Sequence, residues 1–176
     1  MSTTTALLTV AEFLKLSDPK EGCLELHHGE VVIVPPPKFR HAILQDRFAE
    51  MLKRQLSPGG MVLVGMSFQP APEFEVWRAD VGNVRAERAD AISGFGYLEG
   101  APDLVVEVLS PSNTADEIDD RRTTCMSNGC LSFWVVNDKR KIISVTEGEV
   151  TKHYGLSSKI PSTFLPEDVA VEDLLR

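Results

Sequence analysis

The sequence predicts an α/β fold in which helices pack against a mixed β-sheet. The apolar spacing alternates along the chain between helical and extended patterns, in the order helix, three strands, helix and two strands, after an N-terminal helix and a hairpin. Residues 104–109 are apolar almost throughout, which is typical of a strand buried on both faces. With 176 residues, 43% of them hydrophobic and 25% charged, we expect residues 1–176 to form one domain with a substantial core.

The N-terminal third contains a helix, a hairpin and a second helix. Thr9-Val10-Ala11-Glu12 has the T-x-x-E pattern of a capping box and predicts a short helix through about residue 16. Residues 24–34 have apolar arms around His28-Gly29 and predict a hairpin that ends at three prolines. Residues 41–56 predict an amphipathic helix, whose apolar stripe consists of Ile43, Leu44, Phe48, Met51 and Leu52.

The rest of the chain supplies the central strands and one more long helix. Extended patterns predict strands at residues 61–68, 76–84, 104–109, 131–136 and 141–146. A second T-x-x-E box at Thr114 opens a polar helix that ends near Asn128-Gly129. We expect a turn at residues 94–96 and a short amphipathic segment at residues 171–175.

Composition and charge narrow the class of protein. The net charge of −8 argues against a general nucleic-acid coat protein, whose affinity comes from neutralising phosphates, but is compatible with acidic metal ligands beside a local basic track. Three cysteines without a CxxC pair form no disulfide framework. The first residues lack a signal-peptide pattern, and no apolar run approaches the roughly 18 residues of a membrane span. We expect a cytoplasmic protein without membrane contact.

Two carboxylates in the predicted sheet are candidates for chemistry. Glu107 lies inside the apolar strand, where an ionised carboxylate needs a partner, a cavity or a metal. If the strand that carries Asp80 is its neighbour, both side chains can reach one cleft, and a Mg²⁺ or Mn²⁺ ion between them would relieve their repulsion. The alternatives are a structural ion pair for Glu107 and a solvated strand end for Asp80.

Pro102-Asp103 followed by Glu107 looks like a local nuclease signature, but its spacing is wrong for one metal. Positions four apart on a strand are about 13 Å apart. We therefore expect Asp103 to begin the strand and remain solvated.

Four segments together resemble a known family. Residues 25–30, the prolines at 35–37 and His41 resemble "ELIDGE…SPP…H", and residues 78–81 resemble "RPDV" with Ala79 in place of proline. Residues 100–112 match "GAPDLVVEVLSPS" without a break, and residues 129–134 follow "GVxEYW". These patterns resemble the Uma-two family of restriction-endonuclease-like proteins, within the PD-(D/E)XK nuclease superfamily. The resemblance runs from about residue 8 to residue 145.

The resemblance implies a restriction-endonuclease-like fold and hydrolysis of DNA phosphodiester bonds with Mg²⁺ or Mn²⁺. It implies that Asp80 and Glu107 bind the metal, together with the main-chain carbonyl of Val108. Glu25 and His41 match accessory positions, at which Glu25 would complete the ligand set and His41 would face the cleft. Because many nucleases cut two strands with two sites, a homodimer is compatible with this class.

The chain departs from the superfamily pattern at its lysine. Leu109 occupies the E-x-K position, and relatives carry the lysine on the following helix as "EKxxxY". Counting back eight residues from Gly129 places Arg121 there, with Cys125 in place of the tyrosine. Arginine retains the positive charge but cannot act as a base, so we expect Arg121 to act electrostatically at the phosphate.

Two alternatives to an active nuclease follow from the same residues. The negative net charge and the missing lysine favour a catalytically impaired relative that serves as a binding or interaction module, whereas the Asp80 and Glu107 pair favours an enzyme. A zinc site is disfavoured because its candidate ligands have no standard spacing: Cys23, His27, His28 and His41. The basic residues of the predicted helix at 41–56 and just before it either track a phosphate backbone or form a solvated face: Arg40, Arg47, Lys53 and Arg54.

Overall fold

The computed structural model describes residues 7–17, 19–56, 59–71, 73–89, 97–161 and 163–176. The helices are α1 (Val10–Phe13), α2 (Phe39–Gln55), α3 (Ala86–Ala89), α4 (Ala115–Ser127) and α5 (Val171–Leu175). The strands are β1 (Cys23–His27), β2 (Glu30–Val34), β3 (Met61–Gln69), β4 (Trp77–Val84), β5 (Leu98–Glu99), β6 (Leu104–Val108), β7 (Ser132–Asn137), β8 (Ile142–Glu147), β9 (Val150–Gly155), β10 (Lys159–Ile160) and β11 (Val169–Ala170).

A seven-stranded mixed sheet forms the centre of the fold, in the spatial order β5-β3-β4-β6-β7-β8-β9. Helix α2 contributes Phe48 and Met51 to a core on one face of this sheet, as the sequence predicts. Helix α4 contributes Cys125 to a second core on the opposite face. The consecutive residues Val105 and Val106 of β6 belong to these two different cores, which confirms a strand buried on both sides.

Strands β4 and β6 separate at one end, and this separation positions the candidate site. The two strands pair antiparallel, and their ladder ends at the pair Val81↔Val106. Beyond that pair, the Val108 N–H donates to the carboxylate of Asp80 at 2.7 Å. The end of the ladder therefore leaves room for side chains between two neighbouring strands.

The N-terminal hairpin is held against the start of β4. Its turn consists of His28 and Gly29, which have φ angles of 51° and 79°, the pair of positive values that a two-residue type I′ turn requires. Two main-chain hydrogen bonds join Leu26 to Val76, at 2.8 and 2.9 Å. This contact brings β1 within reach of the side chains at the β4–β6 separation.

Most predicted elements are present, with shifted ends. Both capping boxes form, at Thr9 and at Thr114. Helix α1 ends earlier than predicted because the next N–H groups, of Lys15 and Leu16, donate three residues back rather than four. The sequence did not predict α3, β5, β9, β10 or β11, which are short or lack apolar alternation. The predicted turn at residues 94–96 lies outside the described residues, as do Asp18 and Pro58 at two predicted breaks.

The expectation of a solvated Asp103 is wrong. This residue is 1% exposed, and its carboxylate accepts hydrogen bonds from the main-chain N–H and the Nε of Arg85, at 2.9 and 3.1 Å. Arg88 lies 3.3 Å from the same carboxylate. The turn from β4 into α3 brings both arginines over the beginning of β6, and this ion pairing compensates the buried charge.

Two of the four basic residues considered as a phosphate track have structural partners. Arg40 forms an ion pair with Asp138 at 2.7 Å, and this guanidinium holds the pKa of Asp138 well below its usual range. Arg47 donates to the main-chain carbonyls of Leu174 and Arg176. The contacts of Arg47 hold the C-terminal helix α5 against α2. Within the described residues, no helix is long and apolar enough to cross a membrane.

Candidate active site

The side chain of Asp80 lies at the β4–β6 separation and accepts three hydrogen bonds. Its Oδ2 accepts from the Val108 N–H at 2.7 Å. Its Oδ1 accepts from Gln45 Nε2 at 2.7 Å and contacts His41 Nε2 at 2.9 Å. An ionised carboxylate only accepts hydrogen bonds, so the Nε2 of His41 carries the proton in this contact. The orientation of Asp80 is thus fixed from both α2 and β6.

Helix α2 supplies His41 and Gln45 from one face because residues four apart in a helix are neighbours. The structure places His41 against Asp80. Sequence reasoning missed Gln45. Its signal is a polar residue on the buried side of an amphipathic helix, where it is only 7% exposed.

Arg121 joins the second half of the site. This residue of α4 donates through Nη1 to Glu107 Oε1 and to the main-chain carbonyl of Arg78, both at 2.9 Å. Its Nη2 donates to Glu25 Oε2 at 2.6 Å. One nearly buried guanidinium therefore bridges two carboxylates and the main chain of β4. The count from Gly129 predicted this neighbourhood for Arg121.

An aromatic wall supports the buried guanidinium. The Arg121 guanidinium carbon lies 5.4 Å from the centre of the Trp77 ring, within the range of a cation–π contact. The ring of His27 stacks on Trp77, also at 5.4 Å, and its Nε2 lies 2.7 Å from Glu25 Oε2. Sequence reasoning assigned no role to Trp77, because an apolar residue at a strand start is typical of core packing.

Burial and neighbouring carboxylates disfavour the charged form of Glu107. Burial raises the pKa of Glu107 to about 8; the charges of Asp80 and Glu25 add to this effect, and the charge of Arg121 opposes it. Burial disfavours the charged form of Arg121, but its two carboxylate partners outweigh burial and hold the Arg121 pKa above its ordinary value. Two carboxylates, those of Glu107 and Glu25, thus share one guanidinium, and the charge of Asp80 also acts on Glu107.

Comparisons with known proteins identify the family and the fold of the chain. The profile of a family described as "Uma2: Putative restriction endonuclease" matches residues 10–173. The chain belongs to the Uma2 family. No curated protein matches it. A crystal structure of "a putative nuclease belonging to DUF820" from Anabaena variabilis superposes with a TM-score of 0.81 at 18% identity, covering 96% of this chain and 97% of that one. The family and the fold class predicted from sequence are confirmed.

The donors that this Uma2 chain offers to a cation are oxygens. Among the described residues, no group of three or more His, Cys, Asp or Glu side chains is arranged to hold a metal ion. The available ligands are the carboxylates of Asp80 and Glu107 and a main-chain carbonyl. Mg²⁺ commonly uses one or two carboxylates and keeps several waters, so this donor set fits it chemically.

The structure arranges the predicted residues in two neighbouring sets, each held together by side-chain contacts. Glu25, Glu107 and Arg121 form one set, and Asp80 and His41 form the other. The sets adjoin because Val108, which donates to Asp80, directly follows Glu107 in β6. The five candidate residues therefore surround one separation between two strands.

Proposed function

We propose that this Uma2 protein is an endonuclease that hydrolyses DNA phosphodiester bonds with Mg²⁺ or Mn²⁺ at the β4–β6 separation. The observation that carries the proposal is that Glu107 and Glu25 converge on a single guanidinium, while the charge of Asp80 also acts on Glu107. This convergence opposes stability, and such unfavourable arrangements are typical of functional sites. The description of the family and the fold similarity support the same class of activity.

In this proposal, Asp80 and Glu107 hold the divalent ion, together with the main-chain carbonyl of Val108. When bound, the ion polarises the phosphate and lowers the pKa of a bound water. Asp80 is held in one orientation because three donors contact its oxygens. Glu107 must lose its proton before it can bind a cation.

The remaining residues contribute charge and proton acceptance. Arg121 remains cationic and stabilises negative charge that develops on the phosphate, but it cannot accept a proton. Glu25 fixes the second nitrogen of that guanidinium. In the tautomer of His41 that donates through Nε2 to Asp80, Nδ1 is the ring nitrogen able to accept a proton. A homodimer would present two such sites to a duplex.

Cleavage of supercoiled plasmid DNA in Mg²⁺ tests the proposal. We expect wild type to cleave, and Asp80→Ala and Glu107→Gln to lose activity by roughly two orders of magnitude or more, the scale of oriented charge at a transition state. Asp116→Asn removes an exposed carboxylate from the first turn of α4 and should cleave like wild type. Equal cleavage by wild type and Asp80→Ala would refute the assignment.

The substitution of arginine for lysine defines the second candidate function. Arg121 is held by two carboxylates, which favours an impaired relative that binds without cutting. If the protein is active, Arg121→Lys should raise cleavage and Arg121→Ala should remove it. A silent wild type that gains cleavage as Arg121→Lys supports the impaired relative. Equal rates for all three proteins would place Arg121 outside the chemistry.

A further inference from the structure

We propose that Arg78 binds a phosphate of the nucleic-acid strand as it enters the candidate site. This inference rests on the proposed function and adds a substrate-binding residue to it. Arg78 lies in β4, two residues before Asp80, and its main-chain carbonyl accepts the hydrogen bond from Arg121 Nη1 at 2.9 Å. Its backbone is therefore tied directly to the group that holds Glu107.

The side chain of Arg78 is exposed but has a defined location. Gly65 of β3 lies opposite Asp80, between the pairs Val64↔Val81 and Met66↔Ala79, and has a φ of +64°. A Cβ atom on Gly65 would lie 2.4 Å from Nη2 and 2.5 Å from Nε of Arg78. The guanidinium thus rests directly on the glycine backbone, in space that any other residue would partly fill.

The charge of Arg78 is uncompensated within the described part of the chain. Arg121 is paired with Glu25 and Glu107, and the arginines near the start of β6 are paired with Asp103. The guanidinium of Arg78, by contrast, forms no ion pair or side-chain hydrogen bond with any described residue. It is an exposed cation beside a site that otherwise carries an excess of carboxylates.

This arrangement fits a phosphodiester better than it fits a structural role. A polyanion that approaches Asp80 and Glu107 is repelled unless a cation faces it. The planar guanidinium can donate two parallel hydrogen bonds to phosphate oxygens. Its placement over Gly65 orients that fork before the substrate arrives, which lowers the entropic cost of binding.

Binding of a fluorescein-labelled DNA duplex, followed by anisotropy in Ca²⁺, tests the inference. Loss of one charge-assisted contact should weaken binding by Arg78→Ala roughly tenfold, and Arg78→Lys should lose less. The plot of the logarithm of the binding constant against the logarithm of salt concentration has a negative slope. In Arg78→Ala this slope should be less steep by about 0.9, the value for one phosphate contact on duplex DNA. The thermal shift with Mn²⁺ should match wild type, because Arg78 is not a metal ligand.

Two further variants make the test specific. Arg140→Ala removes another exposed arginine, from the β7–β8 turn, and should change neither the affinity nor the salt slope. Gly65→Ala should weaken binding, but should add nothing in the Arg78→Ala background if it acts by displacing this guanidinium. Additive losses would contradict the proposed placement.

The outcomes separate this inference from the proposed function. If wild type binds DNA and Arg78→Ala binds equally well with the same salt slope, the Arg78 assignment is refuted and the endonuclease proposal stands. If Arg78→Ala shows the expected losses while no variant cleaves DNA, the Arg78 assignment is supported and the activity is refuted. A wild type that does not bind DNA refutes both.

Discussion

Strand β6 is associated with two buried carboxylates that have opposite surroundings. The Asp103 cluster consists of Asp103, Arg85 and Arg88. Its carboxylate accepts hydrogen bonds from the main-chain N–H and the Nε of Arg85 and forms an ion pair with Arg88 at 3.3 Å. The Glu107 cluster consists of Glu107, Glu25, Asp80 and Arg121. Glu107 and Glu25 share one guanidinium that is 14% exposed, and Asp80 adds a further negative charge that acts on Glu107. Positive charge is in excess in the first cluster, and negative charge in the second.

This difference separates a structural ion pair from a candidate site. The arginines of the Asp103 cluster are 51% and 30% exposed, so water solvates them while they neutralise the buried acid. The Glu107 cluster keeps a repulsion that a divalent ion would relieve. Two carboxylates four residues apart therefore have different electrostatic surroundings, and the balance of charge around each one distinguishes a structural ion pair from a candidate site.

The largest expected effect on stability comes from removing the arginine of the Glu107 cluster, and the matched change in the Asp103 cluster should cost much less. We expect Arg121→Met to lower the free energy of unfolding by about 3–5 kcal/mol at pH 9, because two buried carboxylates lose their cation. The loss should be smaller at pH 6, where Glu107 is protonated. Arg85→Met should cost at most about 1 kcal/mol, since this arginine is half exposed and Arg88 remains. Urea unfolding measures both, and equal losses would remove the distinction.

Divalent ions should stabilise only through the Glu107 cluster. At a Mn²⁺ concentration of about 100 Kd, binding to the folded state adds about 2.7 kcal/mol and raises the melting temperature by several degrees. Asp80→Ala should abolish this shift, whereas Asp103→Asn should lower the starting temperature and retain the shift. Differential scanning fluorimetry compares them. An unchanged shift in Asp80→Ala would exclude a metal site that includes Asp80.

Neutralising the two acids should change stability in opposite directions. At pH 6 without metal, Glu107→Gln should gain about 0.5–2 kcal/mol, because glutamine buries a neutral side chain without the proton uptake that burial imposes on Glu107. Asp103→Asn should lose about 1–3 kcal/mol, since its amide cannot satisfy the donors that the carboxylate accepts. A loss in Glu107→Gln would instead indicate that its ion pair with Arg121 is structural.

The pH dependence of stability should sharpen the same comparison. Glu107 has an ordinary pKa of 4.5 and a pKa of about 8 in the folded protein. Between these values the folded state holds a proton that the unfolded state has lost, so the free energy of unfolding falls as pH rises. The difference in free energy of unfolding between Glu107→Gln and wild type should increase from pH 4.5 to pH 8, by at most about 1.4 kcal/mol per pH unit. Above pH 8 this difference should stay constant. A constant gap across this range would contradict the raised pKa.

Local patterns in the sequence determined much of the fold and part of the site. Some features depend only on neighbours within a few residues and can be predicted without a structure: the capping boxes, the His28-Gly29 turn and the apolar periodicities. The isolated glutamate in an apolar strand identified Glu107 for the same reason. The motif segments identified the family, and the resemblance added Glu25, His41 and Arg121 to Asp80 and Glu107 as candidate residues.

The tertiary structure alone decided which charges compensate each other. Arg121 and Glu25 are 96 positions apart, and Arg85 and Asp103 are 18 apart, separations at which spacing carries no information about contact. The burial of Asp103, the hydrogen bond from Gln45 to Asp80 and the contact of Arg78 with Gly65 all follow from how strands and helices pack. The sequence therefore determined which residues can carry charge into the sheet, whereas their pairing depends on long-range geometry that only the folded chain defines.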